Sequence, residues 1–429
     1  MNGLAENRLK MTAEGYAHRM RSLNDYFTTL DKLLQEEDWD KAEIAGKLLS
    51  VHGPHSTHAF LQVDRLGTQR NRPFIREDAF DAIAVLHLQV LYDIHVDKNY
   101  ESAYDVHTQI MRKFTEEILR KWKDCNWFLP IFYQLCTDLR NTAKMADELG
   151  GLDEDRDSSY YEQCAAFIME SYRACITDAR DVSISKKIAI LNMTNQLFRI
   201  YFKCNYCLIK INKLNLLKPL IRTIDNSENL QRAFSMADKV TYNYFLGRNA
   251  MFDSNLPLAE KSLSYAFRNC PTECATNKRL VLIYLIPVKM FLGHMPNPSV
   301  LRKYKLEEFI EVVEAVKVGN LAQLDAALAT HEDFFIQCGI FLMLEKLRTI
   351  TFRNLFKRIS LILGKNQIPL EAFLVCLKHL GVHDVDADEL ACIVANLIAQ
   401  NKIKGYISHA HQKLVISKKE PFPELRSSS

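Results

Sequence analysis

Four short stretches of this chain share one wording, and it restricts the fold more than any other feature of the sequence. They are EDWDKAEIAGKLL from Glu37, KNYESAYDVHTQI from Lys98, SNLPLAEKSLSYAF from Ser254 and GNLAQLDAALATH from Gly319. Each sets an Asp or Asn (Asp38, Asn99, Asn255, Asn320) before a large apolar residue (Trp39, Tyr100, Leu256, Leu321), with Ala or Leu three positions later (Ala42, Ala103, Ala259, Leu324). A short acidic or amide side chain caps the free amides at a helix start, and apolar residues at i and i+3 share one helix face. The wording therefore predicts a turn that opens a helix packed closely on its predecessor. The separations of 61 and 65 residues between paired copies do not fit the period of about 34 of a tetratricopeptide array. The expected fold is mainly all-α, an irregular α-helical repeat solenoid.

The end of the chain departs from that pattern. In NKIKGYISHAHQKLVIS, from Asn401, the residues Ile403, Gly405 and Ile407 alternate with Lys402, Lys404, Tyr406 and Ser408, which is the period of a strand. After the turn-like HAHQ comes a second β-branched run, Leu414 to Ile416, so a small β-hairpin is expected. Upstream, Phe352, Leu355, Phe356, Ile359 and Ile362 form one apolar helical stripe, with Arg353, Lys357 and Arg358 placed away from it. Gly364 closes that helix, QIP adds a short strand, and Leu370 to Leu380 form a second helix. VDADEL opens a third, whose stripe is Leu390, Ile393, Val394, Leu397 and Ile398. Helix, strand, helix, helix and hairpin is the order of a winged helix, with the ribbon covering the open side of a three-helix core.

Charge separates this end from the rest. From Phe341 to Ser429 there are 13 Lys and Arg against 8 Asp and Glu, or +5, while the whole chain carries +3. The third helix nevertheless has no Lys or Arg between Asp384 and Asn401, and opposite its stripe lie Ala391, Cys392, Ala395, Asn396 and Ala399. Base readout needs long polar side chains on a surface that attracts phosphate, so this face suits protein packing better. Phosphate contacts are expected instead from Lys402, Lys404, Tyr406 and Lys413 on the outer face of the ribbon, extended by Arg353, Lys357 and Arg358.

Long stretches then resemble one family: NQLFRIYFK from Asn195, INKLNLLKPLIR from Ile211, KRLVLIYLIPVKMFLGHMP from Lys278, FRNLFKRISLIL from Phe352 and GYISHAHQKLVISKKEPFP from Gly405. They are similar to the PCI family, named for the proteasome lid, the signalosome and the eukaryotic initiation factor three complex, and above all to its transcription-export member. The similarity runs from about Asn192 to Pro423, is thinner before it, and is interrupted by CNYCLIK after Lys203. The resemblance implies a non-enzymatic scaffold with no cofactor, in the nucleus at the nuclear pore and possible in the cytoplasm, within a complex coupling transcription to messenger RNA export. It implies a GANP-type PCI scaffold protein and a small acidic DSS-type protein as partners, with nuclear pore components, and a basic surface offered by paired winged helices to RNA or other nucleic acid. Within the same family, the alternative is a subunit of a proteasome-lid or signalosome-type assembly with no nucleic-acid role.

Other readings are weaker. The chain has no glycine-rich phosphate loop, G-x-S-x-G elbow or H-E-x-x-H motif. His52, His55 and His58 could offer imidazoles to zinc but have no nearby Cys or carboxylate in sequence, and Cys204, Cys207, Cys270 and Cys274 lie in helical sequence as core residues. Glu116 and Glu117 fall on a solvated helix face. Eleven singly spaced cysteines suit a reducing compartment. The apolar runs LVLIYLIPV and CGIFLML are less than half the roughly 20 residues of a membrane span, so no membrane partner is expected. GGLDEDRDSS from Gly150 and GHMPNPS from Gly293 read as loops. The expected divisions are 1–200 and 201–345, both helical repeats, a winged helix over 346–418, and a flexible tail over 419–429.

Overall fold

The computed structural model describes residues 12–64, 72–150, 159–204 and 216–425, with the side chains of Cys204 and Glu228 outside that description. The acidic loop at 151–158, Cys207 and most of CNYCLIK, and the last four residues of the tail also lie outside it. The chain separates into two compact units, Met1–Asp238 and Lys239–Ser429. Short helices lie between the longer ones, which are numbered in chain order.

The first unit is a stack of helices: α1 (Leu23–Gln35), α2 (Trp39–Leu48), α3 (Asp78–Tyr92), α4 (Tyr100–Lys113), α5 (Leu129–Leu149), α6 (Tyr160–Ile176) and α7 (Ile190–Cys204). Most neighbours in sequence pair, but α2 packs along α5 and not along α3. Helix α3 continues to Asp97, and by length and composition this segment could cross a membrane. Two thirds of it is buried in the protein, with Phe80, Ile83 and Leu88 in the core, which is the setting of a central helix in a helical stack.

The second unit continues with α8 (Met236–Phe252, which begins at the unit boundary), α9 (Leu256–Asn269), α10 (Ala275–Phe291), α11 (Glu308–Val318) and α12 (Leu321–Thr330). GHMPNPS does break the helices, since α10 ends at Phe291 and the next helix starts at Pro298. Then come α13 (Arg348–Leu363), β1 (Gln367–Pro369), α14 (Leu370–His379), α15 (Ala387–Ala399), β2 (Gly405–Ser408) and β3 (Lys413–Ile416), the order expected of a winged helix. Its core gathers Phe352, Phe356, Phe373, Leu390, Val394, Leu397, Ile403 and Leu414. The Phe356 and Phe373 rings lie 4.5 Å apart, centroid to centroid.

All four repeated turns are built as the wording predicts. Asp38 accepts from the amide of Asp40 at 2.9 Å, Asn99 from Ser102 at 3.0 Å, Asn255 from Leu258 at 3.2 Å and Asn320 from Gln323 at 3.1 Å. The residue three beyond the large apolar one is buried in every copy: Ala42, Ala103, Ala259 and Leu324. The large residue itself is not. Leu321 is fully buried and joins the winged-helix core, Tyr100 and Leu256 are half-buried, and Trp39 is 38% exposed, because a residue at the first helical position reaches the core only where another element covers the turn. A further regularity is hidden in the backbone. The residue before each cap is left-handed: Glu37 at φ 46°, Lys98 at 56°, Ser254 at 59° and Gly319 at 82°. One helix thus ends in a left-handed closure and the next begins with an amide or carboxyl cap, with no spare residue between. Asn320→Ala is expected to cost about 1 kcal/mol, measured by urea denaturation of the full chain. A loss below about 0.3 kcal/mol would mean that water satisfies the Gln323 amide equally well.

Candidate nucleic-acid interface

The three strands form an antiparallel sheet in the order β1-β3-β2. Register fixes which residues share a face: Ile407, Leu414 and Ile368 form one row, Tyr406, Val415 and Gln367 the next, and Ser408, Lys413 and Pro369 a third. Side chains alternate across a sheet, so the first row faces the core and the other two face outward. Ile368 and Leu414 are fully buried, and Ile403 and Ile416 nearly so. Ile407, expected inside with them, is only half-buried, because it lies on an edge strand with one neighbour instead of two. Outside, Tyr406 is 63% exposed and Lys413 is half-exposed.

The other expected ribbon cations are placed differently. Lys402 precedes the strand, in the turn that closes α15: its amide donates to Leu397 O at 2.9 Å and its ammonium to Gln400 Oε1. Burial holds the Lys402 ammonium below its ordinary pKa. Lys404 is exposed, but its ammonium pairs with Glu420 at 3.0 Å.

The largest departure is Arg353. Expected on the solvated side of α13, it is buried, because the tail turns back over it. Its Nη2 donates to the carbonyls of Phe422 at 3.2 Å and Pro423 at 2.8 Å, and its guanidinium lies over the Phe422 ring at 5.8 Å. The Lys404 amide adds a bond to Pro421 O at 2.8 Å, and Phe422 packs against the winged-helix core. The tail, expected to be flexible over 419–429, thus packs on the domain at Pro421, Phe422, Pro423 and Leu425. Arg353 Nε has no hydrogen-bond partner among the described residues.

Lys357 and Arg358 are exposed as expected. Ile362 is not in the stripe; it stands 83% exposed, with Leu361 at 71%, because the last turn of α13 overhangs the core, which stops at Ile359. Arg353, Lys357 and Arg358 line one cleft of about 610 Å³ together with Lys317 and His294. Those two escaped the sequence analysis: Lys317 closes α11 and His294 follows α10, and nothing in the sequence brings either to α13. On α15, Cys392, Ala395, Asn396 and Ala399 are exposed and Ala391 is half-buried, so the face opposite the stripe carries no cation and is lined mainly with small residues beyond Asp388.

Elsewhere the candidate residues have structural settings. The three histidines of HGPHSTH diverge: His52 is exposed, His58 lies 5.2 Å from the Phe60 ring, and His55 is buried, its Nε2 2.9 Å from Nε2 of His87 and its ring stacked on Tyr26. Among the described residues no three His, Cys, Asp or Glu are grouped to hold a metal ion. Cys270 is buried, Cys274 stands half-buried at the start of α10, and Glu117 pairs with Lys113 at 2.8 Å.

Known proteins place this architecture. The PCI domain pattern matches residues 328–418, which takes in the whole winged helix. Over 95% of its length the chain is 56% identical to "PCI domain-containing protein 2 homolog" of Caenorhabditis elegans, covering 98% of that protein, and 44% identical to "PCI domain-containing protein 2" of Danio rerio, covering 99%. A more distant relative, "Protein CSN12 homolog" of Schizosaccharomyces pombe, is 26% identical over 95% of this chain and 99% of its own. The likeness thus extends through the N-terminal helices as well as the C-terminal half. A helical-repeat chain closed by a winged helix, alike over nearly its entire length to these relatives, belongs to the PCI domain-containing protein 2 family.

Proposed function

We propose that this protein is a non-enzymatic scaffold subunit of a nuclear-pore-associated transcription-export complex that couples transcription to messenger RNA export. In this reading it works in the nucleus, binds a GANP-type PCI scaffold protein and a small acidic DSS-type protein, and contributes its winged helix to a basic nucleic-acid surface. The observation that carries the nucleic-acid part is the contrast within the winged helix. The helix in the recognition position has no cation, whereas Lys357, Arg358 and Lys413 are accessible and make no ion pair among the described residues. A surface that offers charge without base-reading side chains suits phosphate contacts of low sequence preference.

The test is a gel shift of single-stranded RNA with the reconstituted complex. Binding should weaken steeply with salt, and Lys357→Glu, Arg358→Glu and Lys413→Glu together should lower affinity on the order of tenfold or more at low salt while the partners still co-purify. RNA binding unaltered by the triple substitution would favour a PCI assembly of the proteasome-lid or signalosome type, without a nucleic-acid role.

A further inference from the structure

We infer that the cleft beside α13, and not the outer face of the ribbon, is the principal contact for single-stranded RNA, held by its phosphates and stacked bases. This rests on the nucleic-acid reading above and specifies where that contact lies. Four cations line the cleft: Lys317 from α11, and Arg353, Lys357 and Arg358 from α13. One carboxylate, Glu424, lines it with them. Lys317, Lys357 and Arg358 are exposed and unpaired among the described residues, so each can exchange counterions for phosphate. Arg353 differs: it is 6% exposed, its Nε has no hydrogen-bond partner among the described residues, its Nη1 donates to Asn354 Oδ1, and its Nη2 clamps the tail. A desolvated guanidinium exerts a stronger field than a solvated lysine.

The cleft also groups two aromatic side chains with its cations, where the ribbon has Tyr406. His294 and Phe422 line it, the first exposed and the second half-exposed, and aromatic faces stack bases of any sequence. A lining of about 610 Å³ is large enough for one or two nucleotides in contact with both kinds of side chain. By comparison, the ribbon offers Tyr406 and Lys413, with Lys404 already paired to Glu420.

The experiment uses the full chain in its complex and a fluorescein-labelled oligouridine of about 20 nucleotides, titrated by anisotropy over a range of salt. Two double variants are compared, Lys317→Glu with Lys357→Glu in the cleft, and Tyr406→Ala with Lys413→Glu on the ribbon. The cleft pair should weaken binding at least tenfold at low salt and make the salt slope shallower by about 1.4, two phosphates at about 0.7 each, with a loss at least threefold larger than that of the ribbon pair. A cleft loss no larger than the ribbon loss overturns the inference while leaving the winged-helix reading in place. If neither pair changes the affinity, that reading fails as well. Should the charge reversals lower the melting temperature, Lys317→Gln with Lys357→Gln is read by the same comparison.

Discussion

Between pH 6.5 and pH 5 the N-terminal unit is expected to lose about 2 kcal/mol of stability or more. The cause is a set of imidazoles folded into apolar surroundings. Burial holds His55 down at about 3 and His107 at about 4, and keeps His87 well below its ordinary value. In the unfolded chain each protonates near 6.5. The unfolded state therefore binds more protons as the pH falls through 6.5, and His55 and His107 each withdraw about 1.4 kcal/mol of stability per pH unit until the folded value is reached, or about 4 kcal/mol for the two over this interval, with His87 acting in the same direction. Asp138 acts in the opposite sense. Burial raises its carboxyl to about 7 despite hydrogen bonds from Gln134, Ser50 and the Val51 amide, so the folded state takes up its proton first and regains about 2 kcal/mol. All three tryptophans, Trp39, Trp122 and Trp127, lie in this unit, so their fluorescence reports its denaturation alone. Asp138→Asn should steepen the decline by about 1.4 kcal/mol per pH unit. Stability that is flat across the interval would mean the imidazoles are solvated or paired with an acid, and the buried arrangement would be wrong.

In the second unit, Gly319→Ala should be a strongly damaging single-methyl change, at about 2 to 5 kcal/mol. Gly319 closes α11 at φ 82°, and a Cβ built there would stand 2.5 Å from the amide nitrogen and 2.7 Å from Cα of Leu355 on α13. No side chain can swing away from such a contact, since the obstacle is backbone. Gly364 provides the control. It also is left-handed, at φ 61°, but a Cβ there meets nothing within 4 Å, so Gly364→Ala should cost only the conformational strain, about 1 kcal/mol. Thermal denaturation followed by far-ultraviolet circular dichroism should show the Gly319 variant melting roughly 5 to 15 °C lower in the transition that tryptophan fluorescence does not follow. Equal shifts for the two variants would mean that α11 and α13 are free to move apart.

These two sites mark what the sequence makes legible. A cap is local chemistry: Asn320 and the amide it serves are three residues apart, so the four turns could be read from spacing, as could the order of the winged helix. The left-handed closure before each cap could not, because Glu37, Lys98, Ser254 and Gly319 share no side-chain type. Only at Gly319 does close approach add a demand for glycine. Arg353 was misplaced for a different reason. Helical spacing does set it off the apolar stripe, and what buries it is a tail about seventy residues further on, held by main-chain carbonyls that have no sequence signature. His87 is the same case in the core: its apolar helix is legible, but its partner, His55, comes from a segment 32 residues earlier that no spacing rule ties to it. For the candidate interface, individual cations could be named from the ribbon and from α13, whereas their grouping with Lys317 depended on how three separate helices pack.

The strand order has a consequence for how the chain is made. β1 and β2 do not touch; each pairs only with β3, the last of the three to be synthesised. While the ribosome is still adding residues before Lys413, both earlier strands have free edges, and the apolar side chains at Phe356, Phe373 and Leu397 lack the cover of Leu414 and Ile416. The winged helix therefore closes in one late step, after the helical repeats have had time to fold. A stop codon placed anywhere between β2 and β3 would yield a chain that keeps its solenoid but carries two open edges over an uncovered core, a species for chaperones and proteases to find.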